Sequence, residues 1–328
     1  MSGTFALGVD IGGTKVAAGL VDHSGSIRHR TRRNTPERTS SPRVVEDIIV
    51  DAVQELVAGA RERGETVGEV GVGAAGFVGA DRATVVFAPH LSWRDEPLRD
   101  ALRGRIGLPI TIDNDANAAA WAESRFGAAR GQSHVAMITL GTGIGGGLLF
   151  DGVLQRGRFG IAGEFGHMQV VPDGVRCECG NRGCWEQYAS GNALVREART
   201  LMAARSPVAE DLLARVDGDP SRLEGALVTQ AAREGDPTAR ELLAEIGQWL
   251  GVGLANLAAA FDPGIFVIGG GVSAAGDLLL EPAREAFRRT LPGRGYRPRA
   301  TIVPAALGPD AGLIGAADLA RADTAARG

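Results

Sequence analysis

The sequence predicts an α/β protein built as two lobes. Three observations carry that prediction. The chain has 328 residues, long for one compact domain and comfortable for two. Short apolar runs of strand length alternate with longer runs of helical period. A plan of apolar strand, glycine turn, apolar strand and acidic turn occurs twice, over residues 6–22 and 135–151. A fold assembled from two units, each a β-hairpin followed by α/β elements, would show such a repeat.

Taken in order, residues 5–10 form a short buried strand, a glycine turn follows, and residues 16–21 form the second strand before a turn over 22–25. Residues 44–63 carry Val45, Ile48, Ile49, Ala52, Val53 and Leu56 at the spacing of one helix face. A strand over 67–72 runs into the glycine-rich segment 71–79. Another over 109–112 runs into Asp113-Asn114-Asp115, ahead of a helix over 116–126. The second hairpin takes strands 135–140 and 147–150, with the intervening glycines as its loop. Residues 194–260 are mainly helical, interrupted by turns over 217–220 and 235–237. A strand over 265–268 closes on Gly269-Gly270-Gly271, and residues 311–321 form a last helix. No Ser- or Pro-rich linker divides the chain, so the lobes are expected to share a hinge.

Composition excludes several functions. The net charge is -4 and no basic block occurs, which argues against a nucleic-acid partner. The apolar stretch 249–261 is too short to span a bilayer and contains Asn256, so it reads as a buried core helix and no membrane partner is expected. No charged segment followed by an apolar one opens the chain, and a cytoplasmic protein is expected. Lys15 is the single lysine among 35 basic residues, and it sits in a glycine turn. The three cysteines, Cys177, Cys179 and Cys184, fall in one short segment. An odd, clustered set is no disulfide framework and points to a metal site or to chance.

Asp10-Ile11-Gly12-Gly13-Thr14-Lys15 lies between two predicted strands. Paired glycines let backbone N–H groups approach a phosphate, Thr14 adds a hydroxyl, Lys15 a charge, and Asp10 a carboxylate suited to hydrated Mg²⁺. A plain hairpin turn is the other reading, but it needs neither Asp10 nor Lys15. Gly141, Thr142 and Gly143 open a second glycine loop that satisfies G-x-G-x-x-G. That loop leads into a strand, whereas a dinucleotide fingerprint opens a helix. No G-x-x-x-x-G-K-[ST] string occurs, so the chain is not a P-loop protein. Two strand–glycine–strand loops instead match two clamps on one nucleotide. Gly269, Gly270 and Gly271 either contact its base or ribose or simply turn the chain into a helix. His167 with Cys177, Cys179 and Cys184 supplies one imidazole and three thiolates, a complete tetrahedral zinc set. A closed four-ligand site leaves no place for substrate, so this zinc is expected to be structural.

The strings around Asp10, Gly141 and Gly269, with the cysteine segment, resemble the ROK family (repressors, open reading frames and kinases). The similarity covers nearly the whole chain. Residues 73–78, 114–126 and 163–186 look most like the bacterial ROK glucokinases. This resemblance implies the two-lobed actin-like, hexokinase-like ATPase fold with its ribonuclease H-like motif, with the active site in the interlobe cleft. The small domain would comprise residues 1–112 plus 308–328, and the large domain, with the zinc motif, residues 113–307. It implies ATP with Mg²⁺ as donor, glucose as acceptor, one structural Zn²⁺, and a homodimer or homotetramer. Asn114, Asp115, Glu164, His167 and Glu186 match the family's sugar-contacting positions, with Gly76 letting backbone approach the sugar. Such groups suit a ring of hydroxyls.

Phosphoryl transfer to an alcohol needs a proton acceptor, and Asp115 is the expected base. Its place at a helix start is expected to favour the ionised carboxylate. Asp113 is expected to point away from Asn114 by strand alternation. Other acceptors (N-acetylmannosamine, fructose, allose, mannose) and a polyphosphate donor remain alternatives. A ROK transcriptional regulator is a further one; its DNA-binding domain would precede the first strand, which starts almost at residue 1.

Overall fold

The computed structural model describes residues 4–327. The chain opens with an antiparallel meander of β1 (Thr4–Ile11), β2 (Lys15–Val21) and β3 (Ile27–Asn34). Helix α1 (Pro42–Glu62) leads to β4 (Thr66–Ala74), parallel to β1. Strands β5 (Phe77–Val78), β6 (Val85–Phe87) and β7 (Arg94–Glu96) form a small antiparallel sheet. Helix α2 (Leu98–Ile106) then delivers β8 (Ile110–Asn114) parallel to β4, and α3 (Asp115–Phe126) follows at once. Next come β9 (Val135–Leu140), β10 (Ile144–Phe150) and β11 (Val153–Leu154). Helices α4 (Glu186–Ala189), α5 (Gly191–Ala203), α6 (Glu210–Ala214), α7 (Gly225–Glu234) and α8 (Pro237–Phe261) follow. The chain ends with β12 (Ile265–Gly269), α9 (Asp277–Thr290), β13 (Thr301–Pro304) and α10 (Ala311–Arg327).

The first sheet has the order β3-β2-β1-β4-β8 and the second β11-β10-β9-β12-β13. Each sheet thus sets its strands third, second, first, fourth, fifth, so the faint repeat in the letters marks one topology used twice. In the first sheet Leu7, Val9 and Ile11 bury against Ile49, Val53 and Leu56 of α1. The spacing of those α1 residues is what predicts the helix, because only a 3.6-residue period presents them to one sheet face.

The chain groups into two compact units. The first is Met1–Val135, Gly147–Gly163 and Ala306–Gly328; the second is Ala136–Gly146 and Glu164–Ala305. The expected boundaries, after residue 112 and before residue 308, differ from this grouping: residues 113–135 and 147–163 belong with the first unit. The reason is physical. Asp113 and Asn114 are the last residues of a strand of the first sheet, and α3 packs on α10 so closely that a Cβ at Gly315 would collide with the Ala118 carbonyl.

Residues 144–146, expected in the loop, lie within β10. Further along this strand Gly147 serves packing: a Cβ there would stand 2.5 Å from that of Ala120. The apolar stretch at 249–261 belongs to the 25-residue helix α8. By length and composition α8 could cross a membrane, but 61% of its most apolar window is buried inside the protein, where it lies along α9.

Candidate active site

In the first unit the turn between β1 and β2 holds Gly12, Gly13 and Thr14. The Gly12 N–H donates to the Lys15 carbonyl at 2.9 Å, and Thr35 braces the turn from outside, its hydroxyl donating to the Gly12 carbonyl at 2.8 Å. Gly13, Thr14 and Lys15 are left exposed. Beside the turn, Asp10 lies against Gly312 of α10, where a Cβ would stand 3.0 Å from its carboxyl carbon. Burial, and then the charges of Asp115 and Asp310, push the Asp10 carboxyl up to about 7. Three carboxylates therefore concentrate negative charge beside the turn, a setting that a hard cation relieves.

At the junction of β8 and α3, Asn114 is the N-cap: its Oδ1 accepts from the Asn117 N–H at 3.0 Å and its Nδ2 donates to the Gly76 carbonyl at 3.1 Å. Gly76 itself is closed in, since a Cβ there would stand 2.5 Å from the Phe87 carbonyl oxygen. Packing thus accounts for that glycine, and its carbonyl joins it to Asn114. Asp115 accepts the Ala116 N–H at 2.9 Å. The helix start was expected to favour its ionised form, yet desolvation outweighs the backbone hydrogen bonds and pushes this carboxyl up to about 6. Asp113 is buried and enters a network with Arg82 and Arg156.

In the second unit the loop Gly141–Gly143 is closed by the Gly141 N–H donating to the Gly143 carbonyl at 3.0 Å. The start of α5 supports it: Gly191 N–H donates to the Gly141 carbonyl at 2.8 Å and Asn192 N–H to that of Thr142 at 3.3 Å. Gly270, at φ +84°, turns the end of β12 against Leu140, so the Gly269–Gly271 turn adjoins the same loop. At Gly141 and Gly271 a Cβ would meet no described atom within 4 Å. Packing does not require glycine there, whereas close approach of a ligand to the backbone would.

Glu186 links this loop to the cysteine segment. Its Oε2 accepts from the Ile144 N–H at 3.4 Å and would collide with any Cβ at Gly143. Its Oε1 lies 3.0 Å from the Cys177 sulfur and 3.5 Å from Nδ1 of His167. The donor atoms of His167, Cys177, Cys179 and Cys184 all lie within 4.8 Å of one another. Two sulfurs at zinc-bond length in a tetrahedron stand about 3.7 Å apart, and those of Cys179 and Cys184 are 3.6 Å apart. Burial raises the Cys177 thiol strongly and Cys184 to about 11, so both are protonated at neutral pH until a cation takes the place of the protons. Glu164 precedes the turn Phe165–His167, its carbonyl accepting the His167 N–H at 3.1 Å.

Structure therefore gathers Asp10, Gly12–Lys15, Gly76, Asn114 and Asp115 in the first unit. It gathers Gly141–Gly143, Glu164, His167, Glu186, the cysteines and Gly269–Gly271 in the second. Residues that sequence alone does not reveal are His90, packed on Gly13, and the Gly191-Asn192 support. The Ser190 cap before Gly191 is a signal for the latter, its hydroxyl accepting from Ala193 N–H. Nothing local marks His90.

The ROK family profile matches residues 6–323. A glucokinase of Streptomyces coelicolor is 51% identical over 315 residues, 96% of this chain and 97% of its own. A ROK family glucokinase from Streptomyces griseus, solved in complex with glucose and AMPPNP, has a TM-score of 0.89 at 51% identity, covering 97% of this chain and 99% of that one. A ROK hexokinase from Thermus thermophilus has a TM-score of 0.79 at 34% identity, with 98% and 99% covered.

Proposed function

Because the chain belongs to the ROK family, we propose that it is an ATP-dependent hexokinase that moves the γ-phosphoryl group of MgATP onto the 6-hydroxyl of D-glucose. The observation that carries this reading is the likeness, over nearly the whole chain, to a glucokinase that binds glucose and AMPPNP. The chain's own residues supply the parts that such a reaction needs. Asp115 accepts the 6-hydroxyl proton while the new P–O bond forms and the bond to ADP breaks. Asn114 orients the sugar, and Glu164, His167 and Glu186 accept or donate at its other hydroxyls. With Nδ1 of His167 toward the cysteines, Nε2 is the ring atom offered to the sugar. Gly12–Lys15 and Gly141–Gly143 aim backbone N–H groups at the phosphates, and Gly269–Gly271 lies along the nucleoside.

Asp10 fits the role of holding hydrated Mg²⁺, which would neutralise phosphate charge when bound. The four-ligand set fits Zn²⁺, which would fix the segment that carries Glu186. An ATP donor agrees with a cytoplasmic location. The test is a steady-state panel of glucose, mannose, fructose, allose and N-acetylmannosamine against ATP and polyphosphate. Glucose with ATP is expected to have the highest kcat/KM, with other sugars lower by orders of magnitude, because each misplaced hydroxyl leaves a polar group unpaired. A higher kcat/KM for another acceptor or donor would overturn the assignment.

A further inference from the structure

Asp113 is among the few buried charged residues of the first unit, and four groups converge on it. Arg156 donates to its Oδ2 through Nε at 2.9 Å and Nη2 at 2.6 Å. Arg82 stands 3.1 Å from the same oxygen. The other oxygen, Oδ1, accepts from the Asn114 backbone N–H at 3.0 Å and from Asn117 Nδ2 at 3.3 Å. Two guanidinium groups thus fix one edge of the carboxylate, and its other edge fixes the first turn of α3. Asn117 is held twice, since its own N–H donates to Asn114 Oδ1. The orientation of Asn114 and of its neighbour Asp115 follows from that lattice.

Both arginines are themselves pinned. Arg82 sits in left-handed backbone at φ +50°, its carbonyl accepts the Ile112 N–H, and its Nη1 donates to Asp323 at 2.6 Å. Left-handed backbone is costly for arginine and persists only where surroundings enforce it. Arg156 begins a loop that closes on itself, the Ala162 N–H donating to its carbonyl at 3.0 Å. That loop docks by Gly160, at φ +91°, onto the backbone of Val78–Ala80, where a Cβ would meet three backbone atoms at 2.5 Å. So much buried charge is hard to explain as stabilisation, because desolvation offsets most of a buried pair's attraction. Defining one geometry is what such an arrangement does well.

We propose that Arg156 is a positioning residue for phosphoryl transfer: through Asp113 it holds Asn114 and Asp115 in the orientation that meets the sugar 6-hydroxyl. This rests on the hexokinase reading above. The fork matters as well as the charge, because one planar guanidinium supplies both donors to Oδ2, which a lysine cannot copy.

The experiment compares wild type with Arg156→Gln, Arg156→Lys and Arg156→Ala, measuring kcat, the KM of glucose and of ATP, and melting temperature. Glucose phosphorylation by the wild type comes first; its absence would sink the hexokinase reading and with it this one. Given an active wild type, Arg156→Gln should lose about tenfold to a hundredfold in kcat, since misplacement of reacting groups by about an ångström has that effect. The KM for ATP should stay put, Arg156→Lys should fall between, and millimolar guanidinium should restore part of the kcat of Arg156→Ala. Near-normal kcat in Arg156→Gln would refute the proposal. So would a loss shared by kcat and the KM of ATP, with lowered melting temperature and no guanidinium rescue. Should Arg156→Gln fail to fold, Arg156→Lys decides alone, and a wild-type kcat there refutes the proposal.

Discussion

Replacing Asp115 with Asn separates the proposed base from the helix start it occupies. The amide keeps an oxygen for the Ala116 N–H, which Asp115 now accepts at 2.9 Å. Only the basic site is lost. General-base assistance is worth roughly 10²–10⁴, so kcat should fall about a hundredfold or more, about 2.7 kcal/mol of barrier at the lower bound. The KM for ATP should hardly move. Because burial lifts this carboxyl to about 6, the wild-type rate should fall as pH drops through that value. The variant should show no such limb from this group. Stability should move in the opposite direction. A folded pKa above the unfolded 3.8 means that the stabilisation of the neutral form is complete below 3.8 and is lost as pH rises through about 6. Asn stays neutral throughout. The variant should therefore melt above wild type at pH 8, by at most about 3 kcal/mol of stability, and the gap should close near pH 4. Calorimetry at the two pH values, beside rapid-quench kinetics at saturating glucose, checks both arms. Near-normal kcat would refute the assignment and move the search to Glu164 and Glu186. Loss of activity with loss of stability at pH 8 would point to damage at the helix start.

Elemental analysis should find about one zinc per chain, and Cys184→Ser should raise the KM of glucose through the Glu186 segment; metal-free protein with full activity would refute a structural zinc. Gly143→Ala should lower kcat/KM more than about tenfold, because the new methyl drives Glu186 off its contacts with Ile144 and Cys177. Gly141→Ala meets no described atom within 4 Å, so its melting temperature should match wild type while the KM of ATP rises. Equal behaviour of the two glycine variants would show that packing alone decides both.

What could be read in the letters was what short spacing encodes. The glycine turns at 12–13 and 141–143, the cysteines at 177–184 and the Asn114-Asp115 pair each lie within a few residues. The chemistry of such groups follows from composition and order, before any tertiary contact. The two-lobed plan was legible because a hairpin is itself a local object. Elements whose cues point both ways were not. β3 reads Ile-Arg-His-Arg-Thr-Arg-Arg-Asn, and its alternation hides among arginines that suit an edge strand, where charge blocks unwanted pairing.

Effects that need distant partners were illegible for a different reason. The arginine fork on Asp113 arrives from 43 residues away, and α10 reaches Trp121 of α3 across 197, Asp318 accepting the indole N–H. Those distances explain both the displaced unit boundary and the Asp115 correction. From sequence, the visible influence on Asp115 is the helix start, which is local and favours charge. Burial, which decides the matter, is supplied by the packed sheet and helices of the whole unit. The same buried setting that makes the carboxyl a better proton acceptor also makes its charge expensive to fold. A site residue whose replacement stabilises the protein while stopping its chemistry is the expected consequence.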